Sequence, residues 1–126
     1  MTNSISHARC RGYGIVALSM LAVLAACRSH HIEATVENRT GAPITLLEVD
    51  YPSASFGANS LASNAAFRYR FQVRGSGPLT VQYTAADGRQ VQITGPTLHE
   101  KQEGRLEIVL PPGGKAAFHV ELNPQN

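Results

Sequence analysis

The stretch FRYRFQVRGSGPLTVQYTAADGRQVQIT, residues 67–94, decides the fold. Its first eight residues alternate without interruption. Phe67, Tyr69, Phe71 and Val73 lie on one side, and Arg68, Arg70, Gln72 and Arg74 on the other. A period of two marks a strand with one buried and one wet face. Gly75-Ser76-Gly77-Pro78 then breaks the chain. Leu79, Val81 and Tyr83 alternate with Thr80, Gln82 and Thr84, and the run 90–94 carries Val91 and Ile93. Asp87-Gly88 stands between these two runs. Asp-Gly in that position is a strong hairpin signal, because both residues tolerate positive φ. The hairpin predicts Thr80, Gln82 and Thr84 beside Gln90, Gln92 and Thr94 on one polar face.

The same pattern continues on both sides. In 31–38, Ile32, Ala34 and Val36 alternate with Glu33, Thr35 and Glu37, and the turn residues 38–43 follow. The run 44–51 slips phase. Ile44 and Leu46 share one face, then Leu47, Val49 and Tyr51 share the other. A β-bulge near Leu46 and Leu47, or a strand buried on both faces, would account for the slip. The segment 52–66 is rich in Ser, Ala, Asn and Gly, and reads as a long loop pinned by Phe56 and Leu61. Gly95-Pro96 reads as the end of the hairpin, and 97–104 as a polar loop with Leu98 as anchor. Leu106, Ile108 and Leu110 mark another strand, and Pro111-Pro112-Gly113-Gly114 a turn. Ala116, Phe118, Val120 and Leu122 mark the last strand.

About seven strands with frequent turns and no long amphipathic helix predict an all-β, antiparallel sandwich. Its length and strand spacing resemble an immunoglobulin-like sandwich in architecture, without the core disulfide and buried Trp of antibody domains. The chain has 126 residues and no Trp. One domain is the expected count.

The N-terminal part is organised differently. Arg9 and Arg11 precede an apolar run, 15–26, broken only by Ser19, and no acid appears before Glu33. A basic leader, a short apolar stretch and small residues are the parts of a secretory signal. The run is too short for a bilayer, which needs about 20 apolar residues. It ends in Leu24-Ala25-Ala26-Cys27. These four residues resemble the lipobox of bacterial lipoproteins. The resemblance implies cleavage before Cys27 and a covalent lipid on its sulfur. Beyond that lipid no cofactor is expected. The resemblance also implies an extracytoplasmic, membrane-anchored protein. Arg28, where an Asp often signals retention at the inner membrane, points by the same resemblance to the outer membrane of a two-membrane cell. The expected organisation is a signal peptide at 1–26 and a lipidated cysteine with a short tether at 27–31. A sandwich at 32–122 and a tail at 123–126 follow.

Removal of 1–26 takes away Cys10, Arg9 and Arg11. Of eleven basic residues nine remain, against nine acidic ones. A balanced charge gives no general attraction to nucleic acid. The sharpest surface feature is then Arg68, Arg70 and Arg74, which period-two spacing puts on one strand face. They could dock an envelope protein or an anionic glycan. They could equally form a solvated face balanced by Glu48 and Asp50 on one side and Glu107 and Glu121 on the other. The histidines show no metal-ligand spacing, and no catalytic constellation is visible. The sequence therefore predicts a lipid-anchored binding or structural domain and no enzyme. The alternatives are an accessory subunit of a larger envelope complex and a small hydrolase or metal-binding protein.

Overall fold

The computed structural model describes residues 30–123. The residues that resemble a lipobox, 24–27, lie outside them. The described chain is a β-sandwich of eight strands without a helix. They are β1 (Ile32–Asn38), β2 (Ile44–Tyr51), β3 (Ala54–Leu61), β4 (Ala66–Phe71), β5 (Gly77–Thr84), β6 (Gln90–Leu98), β7 (Gly104–Leu110) and β8 (Ala117–Leu122). The first sheet runs β4-β1-β7-β8 and the second β3-β2-β5-β6. All pairings are antiparallel except β1 with β7, which run parallel with Ala34 opposite Leu106 and Val36 opposite Ile108. The expected antiparallel pattern is corrected at that one ladder.

The core lies between the sheets. Ile32, Ala34, Val36, Leu106, Ile108 and Leu110 face it from the first sheet. Ile44, Leu47, Val49, Leu79, Val81 and Tyr83 face it from the second. Each large aliphatic side chain removed from water contributes about 1.5–3 kcal/mol. The alternation seen in sequence thus becomes the two inner walls of one core. Beside it, Tyr51, Phe56, Phe67, Tyr69 and Phe71 form an aromatic seam along the β3 and β4 margins. Phe56 stacks on Tyr69 with ring centres 4.6 Å apart.

Two expectations are corrected here. The segment read as a loop contains β3, paired with β2 along its length. Its Ser, Ala, Asn and Gly are poor strand formers, so the pairing and the inward Phe56 and Leu61 hold it. Second, Gly95-Pro96 does not end the hairpin; β6 continues to Leu98, which is fully buried. Proline is tolerated there because β6 is an edge strand. Glycine fits because the Phe118 ring packs against it, 2.7 Å from where a Cβ would sit.

The phase slip in β2 is a bulge. The register with β5 shifts between Thr45 and Glu48, and Leu46 takes φ 52°. Ile44 and Leu47 therefore both point inward, and Leu46 is 65% exposed. On the other side of β2, in the unshifted ladder with β3, Gly57 stands opposite Glu48, where any Cβ would collide with the Leu47 carbonyl.

Among the described residues one polar side chain is fully buried, that of Asn38. It closes the far end of β1. Its amide Nδ2 donates to the carbonyls of Ala42 (2.8 Å), Leu61 (3.0 Å) and Ala62 (3.2 Å). Its Oδ1 accepts from the Thr40 backbone N–H (3.1 Å) and hydroxyl (2.7 Å). Its backbone N–H donates to Ala65 at 3.0 Å, and its carbonyl accepts from Asn64 at 2.8 Å. One residue thus ties β1 to the β1–β2 turn and to the β3–β4 connection.

An Asn38→Ala substitution strips one buried carbonyl, Leu61, and two part-buried ones, Ala42 and Ala62, of their donor, at about 1–3 kcal/mol for each buried group left unsatisfied. Urea unfolding should show a loss of roughly 3 kcal/mol. A loss within about 0.5 kcal/mol of zero would mean that the clasp is dispensable.

Candidate functional site

The outer face of the first sheet carries the candidate site. Strand register places Arg70 opposite Glu33, Glu33 beside Arg105, and Arg105 opposite Glu121. The next row is Arg68, Thr35, Glu107 and His119. Neighbouring strands lie about 4.8 Å apart, so each row spans roughly 14 Å. Together they floor a groove of about 800 Å³, with Arg68 and Arg70 along one margin and His119 and Glu121 along the other.

The charges alternate but are not locked together. Among the described residues the ion pairs within 4 Å are His30–Glu103, Arg39–Glu37 and Arg89–Asp87. None ties Arg68, Arg70 or Arg105 to Glu33, Glu107 or Glu121. Arg70 instead reaches the His31 ring, Nη2 to Nδ1 3.4 Å. The groove therefore offers guanidinium donors and carboxylate acceptors side by side, both accessible to a ligand.

The structure divides the arginine row. Arg68 and Arg70 share the groove, whereas Arg74 does not. β1 begins at Ile32, opposite Phe71, so β4 has no partner beyond that point. The chain bends away, and the Arg74 backbone N–H donates to Ser53 Oγ at 3.2 Å. The balancing acids are also partly reassigned. Glu107 and Glu121 share the groove, but Glu48 and Asp50 lie on β2 in the other sheet. The acid nearest Arg70 is Glu33. Its outward phase was readable in β1, but its adjacency to β4 was not.

The polar ladder of the second sheet forms as expected. Thr80 faces Thr94, Gln82 faces Gln92 and Thr84 faces Gln90. Gln82 Nε2 donates to Asp50 Oδ2 at 2.9 Å. Glu48 shares this face, and hydrogen bonding to Asp50, then the Asp50 charge, raises its carboxyl above the ordinary 4.5. Histidines are dispersed: His99 contacts Ser76 Oγ at 2.7 Å, and His119 lies in the groove. Among the described residues no three His, Cys, Asp or Glu side chains converge as a metal site would require.

No family model matches the chain, and no curated protein matches it. Its fold is similar to an NMR structure of a protein from Eubacterium rectale. The two are 15% identical, the TM-score is 0.53, and the match covers 72% of this chain and 88% of that one. At that identity the likeness concerns the fold alone.

The Glu48–Asp50 pair should make stability depend on pH. A carboxyl whose folded pKa exceeds its unfolded value contributes stability at low pH and loses it as the pH rises through the folded value. Stability should therefore fall as the pH rises from 4.5 through the raised value of Glu48. Glu48→Gln should flatten that fall in urea titrations at pH 4 to 7. An unchanged slope would remove Glu48 as its source.

Proposed function

We propose that this chain is a lipid-anchored protein of the bacterial cell envelope whose sandwich binds an acidic glycan in the groove of the first sheet. The observation that carries the binding reading is the pairing of open guanidinium and carboxylate groups along that groove. Acidic glycans carry both complements. Their carboxylates fit the forked donors of Arg68 and Arg70. Their hydroxyls can donate to Glu33, Glu107 and Glu121. The rigid sheet beneath holds these side chains at fixed spacing, which lowers the ordering cost of binding.

Anchoring rests on Leu24-Ala25-Ala26-Cys27. A diacylglyceryl group with a third acyl chain gives stable membrane attachment, since each buried methylene contributes about 0.8 kcal/mol. The anchor would then hold the groove near the lipid surface.

Both halves can be tested separately. Cys27→Ala should leave the protein unprocessed and absent from the lipid-modified membrane fraction. Unchanged processing and retention would overturn the anchoring half. For binding, polygalacturonate should associate with the wild-type domain at low salt, while neutral dextran should not. The double variant Arg68→Glu, Arg70→Glu should weaken association at least tenfold, and Arg74→Glu should leave it within twofold. Equal affinity for both polymers, or none for either, would overturn the glycan half.

A further inference from the structure

We infer that one particular end of the sandwich faces the lipid surface, namely the end built by the β2–β3, β4–β5 and β6–β7 loops. This rests on the lipid anchor proposed at Cys27. The strand directions sort the connections into two groups. β1 and β7 start at the same end because they run parallel. Their antiparallel neighbours β4 and β8 finish there, at Phe71 and Leu122.

Contacts draw the loops of this end together around the chain's entry. His30 Nδ1 lies 3.4 Å from Glu103 Oε2 in the β6–β7 loop. The Gly104 N–H donates to the His31 carbonyl at 3.2 Å. The Glu103 N–H donates to Asn123 Oδ1 at 2.7 Å, and the Asn123 N–H returns to the Glu103 carbonyl at 3.0 Å. Ser76 Oγ donates to the Leu98 carbonyl at 3.3 Å and contacts His99 Nδ1 at 2.7 Å, joining the β4–β5 and β6–β7 loops. Arg74 and Ser53 join the β4–β5 and β2–β3 loops. The entry point and three loops therefore form one stitched surface.

Only Arg28 and Ser29 stand between Cys27 and His30. Three Cα steps at up to about 3.6 Å reach roughly 11 Å. β1 alone, seven residues long, spans roughly 20 Å to the Asn38 end. A tether shorter than the domain is long keeps the entry end against the headgroups. Arg74 and Lys101, both exposed on loops of this end with Glu100 beside Lys101, then lie within reach of the lipid phosphates. The opposite loops 39–43, 62–65, 85–89 and 111–116 point toward the aqueous side.

The mature chain offers a clean test, because Cys27 would be its one cysteine and is consumed by lipid. Single exposed cysteines are introduced by Arg74→Cys or Lys101→Cys at the entry end, and by Ala86→Cys or Lys115→Cys at the other. Each is labelled with a fluorophore in the lipidated protein on vesicles that carry a nitroxide quencher on the headgroup. We expect at least threefold stronger quenching at residues 74 and 101 than at 86 and 115. Equal or reversed quenching on protein that remains vesicle-bound would overturn the orientation and leave the anchor standing. Protein that fails to bind the vesicles at all would overturn the anchor and the orientation with it.

Discussion

The sandwich depends on Asn38, the one fully buried polar side chain among the described residues. An amide buried without partners would cost several kcal/mol. Here it is bonded at every polar atom, to a turn on one side and to the β3–β4 connection on the other. That arrangement fixes where β1 stops, how the chain turns into β2, and where β3 hands over to β4. Because β3 belongs to the second sheet and β4 to the first, the Asn38 clasp also sets how the two sheets meet at that end. The apolar core supplies the driving force, but burial is non-directional. The hydrogen bonds give it a register.

A fixed register is what makes the outer groove a candidate site. The rows Arg70–Glu33–Arg105–Glu121 and Arg68–Thr35–Glu107–His119 come from four strands of which only β7 and β8 are consecutive in sequence. A slip of one residue in β1 would turn Glu33 inward and Ile32 outward. The parallel β1–β7 ladder places the first strand in the middle of the sheet. It thereby puts the chain's entry point at the foot of this surface. The proposed anchor, the entry end and the groove are thus linked through one strand.

Local alternation made most of the architecture legible. Phe67 to Val73, the Asp87-Gly88 hairpin and the phase slip at Leu46 each carried their meaning in a few neighbouring residues. β3 was hidden because its side chains are small and polar. What holds it is an edge pairing with β2, with a close approach to the Leu47 carbonyl that only a glycine at 57 allows. β6 looks shorter in the sequence than it is because Gly95-Pro96 normally signals a turn, whereas an edge position and the Phe118 ring allow both residues in a strand. The site was half legible for the same reason. Arg68 and Arg70 could be assigned to one face from spacing alone. Glu33 and Arg105 could join them only once non-local pairing was known, and Arg74 left the row because β1 gave it no partner strand.

Mass spectrometry of the N-terminal peptide of the protein purified from bacterial membranes tests the central claim most directly. The account predicts a chain that begins at Cys27 and carries a thioether-linked diacylglyceryl group on that sulfur. A mature chain beginning elsewhere, or an unmodified Cys27 thiol, would contradict it. The groove would then belong to a domain held in place by something other than lipid.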